Sequence, residues 1–381
     1  MSDEISQCYT MLKSLLTRAQ ALDMLKAMHA AMQTAADTLL SFSAVSSSEE
    51  EEAAKTLLSF SKTSSEDDTL KSVLQETTRM LSAIEARSFC GATVSDIALM
   101  YQKPAKREDN DANNGIRETM IANIHDFPEF YFTHEVYGDR WLQLRDQVHT
   151  TVSGFCDKPF DTYKIEKKGG RSFNYDFEAT YKKDGKTVFT QKMEYKHNTK
   201  TMTGFPQFLS LYEKYGLLPG SSYTRSFYER VLPQIVALDP AFPCAIPDYE
   251  TYTKHVCSAN HDVLPFFRAA YDRLTKEKIA LVDRSITDYL EEHAASIDIA
   301  KFTAKARESQ SEKKFLLWDR ERFHVGEFGA KAFDNLVYKR IKNGNSIVIG
   351  NDAYEFHLLL RWRNGKGCNL PAWQIGFVPI V

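Results

Sequence analysis

Phe173 to Lys196 reads FNYDFEATYKKDGKTVFTQKMEYK, and the two flanks alternate as strands do. The alternation predicts strands over Ser172–Tyr181 and Thr187–Lys196, joined by the turn Lys182-Lys183-Asp184-Gly185-Lys186, in which Asp-Gly supplies positive φ. Successive side chains of a strand point to opposite faces. Asp176, Glu178 and Thr180 therefore share one face of the first strand, and Glu194 and Lys196 share one face of the second. Tyr195 points the other way, toward a core. Acids and a lysine converge at one end of a twisted hairpin.

The flanking segments extend the unit. A strand over Thr162–Lys168 leads into the hairpin through Gly169-Gly170. Before it, Gly115–Phe155 carries Arg117-Glu118, a group of aromatics from Phe127 to Tyr137, and an amphipathic helix over Asp139–Phe155. After it, Phe205 to Tyr212 predicts a helix, with Pro206 in the first turn, where its missing N–H would be unpaired anyway. The predicted order is helix, three strands, helix.

Asp176 followed by Glu194-Tyr195-Lys196, in that order of elements, resembles the signature of the PD-(D/E)XK nuclease superfamily. Tyr175 stands where that family often has proline. The resemblance implies a restriction-endonuclease-like α/β core of helix, three antiparallel-to-mixed strands and helix. It also implies a metal-dependent endonuclease that hydrolyses phosphodiester bonds. Mg²⁺, for which Mn²⁺ substitutes, suits the residue types, because it takes carboxylate oxygens and keeps much of its shell as water and phosphate. Asp176, Glu194 and the Tyr195 carbonyl are the implied metal ligands, and Lys196 the group that orients hydroxide and offsets charge on phosphorus. Gln207, early in the following helix, matches a residue that holds phosphate or an outer water in several of these families. Tyr212 falls one residue too late for the Gln-x-x-x-Tyr pattern of recombination exonucleases. An acid on a helix before the sheet often assists the metal, and Glu118 and Glu135 are the candidates; Glu178 is the fallback on the first strand. Double-stranded DNA is expected over RNA by analogy, with restriction or homing roles in view.

Composition sets the frame for this reading. The 381 residues are 43% hydrophobic and 12% aromatic, enough for a substantial core. The net charge of −3 is uneven: residues 1–100 hold 14 acids and 8 bases, a net of −6, which leaves +3 for the remainder. Six scattered cysteines form no Cys-x-x-Cys pair, so neither a zinc ribbon nor a disulfide framework is expected. No apolar run reaches the ~18 residues of a membrane span, and an intracellular protein, in cytoplasm or nucleus, is expected.

Four regions follow. Residues 1–104 are read as helical, with Tyr9, Leu12, Leu15, Leu16, Leu22, Leu25, Met28 and Met32 at helical spacing; they could pack internally or form a homodimer interface. Thr38–Ser43 returns as Thr56–Ser61, each copy followed by serines and acids suited to helix starts. KPAKREDNDANN, residues 103–114, loses all hydrophobic pattern and is read as a domain boundary before a nuclease-like core at 115–215. A helical insertion over 216–310 includes His255, His261 and Asp262, which show no metal-binding spacing. The last region, 311–381, is β-rich, and its Arg361, Trp362, Arg363, Lys366 and Trp373 suit either nucleic-acid contact or half-buried strands that extend the core. Two other functions fit the same sequence: an inactive nuclease-like fold that binds nucleic acid, and a helical interaction or scaffold protein in which Glu-x-Lys is coincidence.

Overall fold

The computed structural model describes residues 6–7, 9–14, 66–104, 107–169, 173–205, 207–239, 245–256, 275–310, 312–329, 331–362 and 371–380. The chain is α/β and forms two compact units: Met1–Lys200 with Lys314–Val325, and Thr201–Lys313 with Gly326–Val381. Several expectations lie outside the described residues: the repeat at 38–61, the helical positions 15–32, Pro206, His261, Asp262, Arg363 and Lys366.

In the first unit the helices include α1 (Glu66–Ala86), α2 (Arg107–Ala122), α3 (Glu129–Thr133) and α4 (Gly138–Ser153). A mixed sheet has the order β1-β2-β3-β5-β6, where β1 is Thr162–Lys167, β2 Phe177–Lys183, β3 Lys186–His197, β5 Lys313–Trp318 and β6 Phe323–Gly326. The predicted hairpin is present. Its strands pair antiparallel, with Phe177 opposite Met193 and Lys183 opposite Lys186. Asp184 (φ 49°) and Gly185 (φ 73°) both take positive φ at the turn, as a two-residue hairpin with the right-handed strand twist requires. Phe177, Ala179 and Tyr181 on β2, and Met193 and Tyr195 on β3, face the core.

That core extends far beyond the hairpin. Met80, Leu81 and Ile84 of α1, then Val94, Ile97 and Met100, belong to the same buried cluster as Phe177, Tyr181 and Tyr195. Buried aromatic donors fix the arrangement, because an N–H or O–H taken from water needs a partner. The Trp141 indole donates to Val94 O at 2.8 Å, the Trp318 indole to Met100 O at 2.7 Å, and the Tyr131 hydroxyl to Ala92 O at 2.7 Å. Of the patternless stretch at 103–114, the part from Arg107 opens α2, within the first unit. A polar run can be helical when only its C-terminal half, here Arg117, Met120 and Ile121, is buried.

The second unit has a sheet of order β4-β10-β9-β8-β7, antiparallel throughout, from β4 (Leu209–Tyr212), β7 (Val337–Lys342), β8 (Ser346–Gly350), β9 (Tyr354–Trp362) and β10 (Pro371–Pro379). Its helices include α5 (Tyr223–Arg230), α6 (Lys276–His293) and α7 (Ile299–Gln310). The helix expected over Phe205–Tyr212 is not formed. Leu209 and Leu211 are buried while Ser210 and Tyr212 are not, a period of two, and the segment pairs with β10, Leu211 opposite Trp373. Trp362 and Trp373 are almost wholly buried in this unit, so the aromatics of the last strands are core. The Trp362 indole donates to the Tyr223 hydroxyl at 3.0 Å.

Candidate active site

The hairpin brings its acids together through the backbone. Asp176 sits in a bend immediately before β2, not within a longer strand from Ser172. Its N–H donates to Met193 O at 2.9 Å and its carbonyl accepts from Lys168 N–H at 2.7 Å. The side chain then takes a ladder position: the Tyr195 N–H donates to Asp176 Oδ2 at 2.8 Å. That contact is why the regular strand starts one residue later. It also holds the carboxylate beside Glu194, just past the last ladder pair, Phe177 opposite Met193.

Glu194 and Lys196 share the outer face of β3 and form an ion pair, Nζ to Oε1 at 2.6 Å, with side chains 12% and 27% exposed. Tyr195 between them points into the core, where its hydroxyl meets His197 Nδ1 at 3.1 Å. Burial pushes the Asp176 carboxyl up to about 6. The Tyr195 N–H and Lys196 oppose that shift; the negative charges of Glu194 and Glu118 add to it.

Glu118, on α2, is thus close enough to Asp176 to act on its charge, and it pairs with Lys167 Nζ at 3.2 Å. Of the two acids expected from a helix, this one reaches the site. Glu135 is 80% exposed and pairs with Lys13 at 3.1 Å. Glu178 is held in a separate set of contacts, with the Tyr175 hydroxyl at 3.1 Å and Lys168 at 3.5 Å. Gln207 belongs to the second unit, just ahead of β4, and the helical setting from which its role was inferred is absent.

Two basic residues carry no role in the sequence pattern above. Arg117 is 1% exposed and donates to Leu99 O at 2.9 Å and Asn114 Oδ1 at 2.8 Å, both uncharged acceptors. Arg320 follows β5 at the same end of the sheet as Lys196, since Thr199 N–H, just past β3, donates to Trp318 O at 3.1 Å. Arg117 directly precedes a candidate acid, which is a usable signal; Arg320, more than a hundred residues from the hairpin, has none.

The donor set suits a hard cation held mainly by water and substrate. Asp176 and Glu194 offer carboxylate oxygens, and like-charge repulsion among Asp176, Glu194 and Glu118 is what a divalent ion would relieve. Among the described residues no group of three or more His, Cys, Asp or Glu side chains is gathered as a closed metal site. Mg²⁺ often binds through one or two carboxylates, so the pair is sufficient for it and unsuited to structural zinc. Comparison with protein-family models, with curated proteins and with solved structures finds no match for this chain.

Proposed function

We propose that the chain is a Mg²⁺- or Mn²⁺-dependent endonuclease with a restriction-endonuclease-like core, acting on DNA. The observation that carries this reading is the Asp176 carboxylate bonded to Tyr195 N–H beside the Glu194–Lys196 pair, with Glu118 approaching from α2. The order of α2 and α4, then β1, β2 and β3, with β5 later joining β3, also supports the fold reading.

A bound divalent ion would polarise the scissile phosphoryl group and lower the pKa of a bound water. The chain's own residues do the rest. Asp176 and Glu194 would hold the cation, and the Tyr195 N–H, bonded to Oδ2, holds the Asp176 carboxylate in place. Lys196 places an ammonium where the phosphorus gains negative charge. Glu118 adds negative potential on the α2 side, held by Lys167.

Incubation with plasmid DNA and with RNA, in Mg²⁺, Mn²⁺ or EDTA, tests the proposal. Cleavage is expected with either metal and none with EDTA. Asp176→Ala and Glu194→Ala should abolish cleavage and weaken metal binding measured by calorimetry. Lys196→Ala should leave metal binding nearly intact and slow cleavage by roughly 10²–10³, the usual loss when one preorganised charge is removed. Cleavage that survives Glu194→Ala rules out this site. Binding of nucleic acid without cutting, under every metal, would instead identify an inactive nuclease-like binding protein.

A further inference from the structure

The turn between β5 and β6 is built more tightly than a hairpin needs. Asp319 Oδ1 accepts from both Glu321 N–H and Arg322 N–H at 2.9 Å, and Asp319 N–H donates to Arg322 O at 3.2 Å. Asp319 Oδ2 contacts His324 Nε2 at 2.8 Å and Lys200 Nζ at 3.5 Å. These contacts over-determine the backbone and force Arg320 to φ 82°, a left-handed conformation that glycine or asparagine adopts far more readily. Residues held in such strain cluster at ligand clamps and active sites.

Among the described residues Arg320 is also without a partner. Its Nε is buried and has no acceptor there, and no carboxylate pairs with its guanidinium. Buried guanidinium N–H groups are ordinarily satisfied, and one that is not calls for a missing acceptor. The neighbouring side chains do not supply it. Asp319 is committed to the turn, to His324 and to Lys200. His197 Nε2 lies 3.0 Å from Gln102 O, which can only accept, so Nε2 carries the proton while Nδ1 takes that of the Tyr195 hydroxyl. Burial, with Arg117 and Arg320 nearby, pulls this imidazole down to about 4, so it is neutral at physiological pH.

The result is a rigidly presented, unpaired guanidinium at the sheet end that also carries Asp176, Glu194 and Lys196. Arginine's planar fork matches a phosphate with two parallel hydrogen bonds, and such contacts fix register on nucleic acid without reading sequence. We propose that Arg320 clamps a backbone phosphate of the nucleic acid at this end of the sheet, on the His197 side of β3. This inference rests on the nuclease reading for its ligand, but its test does not require cleavage.

Fluorescence anisotropy with a labelled DNA duplex of about 20 bp, in EDTA, measures binding alone across about 50 to 300 mM salt. Arg320→Gly is the informative variant, because glycine fits φ 82° and so removes the side chain, guanidinium included, without adding backbone strain. It should melt at or above the wild-type temperature, bind the duplex about 5- to 10-fold more weakly, equally on unrelated sequences, and lower the salt slope by about one. Arg320→Lys should keep the slope nearer that of wild type yet recover affinity only partly, since an ammonium lacks the fork. Arg320→Gly with unchanged affinity and slope overturns the clamp, whether or not the protein cuts DNA. Competition by polyglutamate as effective as that by the duplex also overturns it, because the site would then answer any polyanion. Wild-type binding that shows the Arg320 effect without metal-dependent cleavage keeps the clamp and rejects the nuclease; wild-type protein that binds neither duplex nor single strand rejects both.

Discussion

Asp176 shows how one side chain joins stability to chemistry. Its carboxyl, ordinarily near 3.8, is raised to about 6 chiefly by burial, against the help of the Tyr195 N–H and Lys196. The folded chain therefore binds the proton more tightly than the unfolded chain. Stability from this group is full below about pH 4, falls as pH rises through the window from about 4 to about 6, and stays low above it. Asp176→Asn, which keeps an oxygen for Tyr195 N–H, should accordingly be more stable than wild type at pH 7, on the order of 2 kcal/mol, with the gap closing near pH 4. Urea unfolding at pH 4, 5, 6 and 7 checks the trend, and a gap independent of pH contradicts it. Millimolar Mg²⁺ at pH 7 should raise the melting temperature of wild type and leave Asp176→Asn unmoved, because a ligand stabilises only the form that binds it.

At the level of elements, the hairpin and the α3–α4 joint test two different uses of glycine. Gly185 takes φ 73° in open space: among the described residues nothing beyond its chain neighbours lies within 4 Å of the place an alanine Cβ would occupy, so Gly185→Ala meets strain alone. Gly138, at the start of α4, has ordinary φ, but an added Cβ would lie 2.7 Å from the Phe132 carbonyl oxygen. Backbone cannot yield as a flexible side chain can. Gly185→Ala should therefore cost about 1 kcal/mol and Gly138→Ala distinctly more, read as midpoints of denaturant unfolding. Equal costs would mean that α3 and α4 separate easily. The strand β4 carries a related lesson: a short segment with aromatic and leucine residues near a proline reads as helix, but pairing with β10 decides otherwise. Propensity over four residues is too weak to oppose a ladder and two buried leucines.

For the whole first unit, the described residues before 104, among them Leu12, Leu81, Val94, Ile97 and Met100, share one buried cluster with the sheet. Removing residues 1–104 would expose Trp318, Tyr195 and Trp141 to water and strip the indoles of Trp318 and Trp141 of their acceptors at Met100 and Val94. The truncated chain should aggregate or lose near-ultraviolet circular dichroism, whereas a separable helical module would leave a soluble, folded remainder. Among the described residues no helix is long and apolar enough to cross a membrane.

Alternation around Asp184-Gly185 determined the hairpin, its turn and the convergence of Asp176 with Glu194 and Lys196, because strand period and positive φ act over a few residues. Glu118 was legible only as one of two acids, and proximity to Asp176 selected it. Arg320 was not legible at all: its place depends on β5 returning to β3 after most of the second unit's sequence, and its strain on contacts converging on Asp319. The strand at Leu209, the burial of Trp362 and Trp373, and the helix from Arg107 were likewise settled by tertiary packing, since each depends on partners distant in sequence or on which face of a helix a distant core covers.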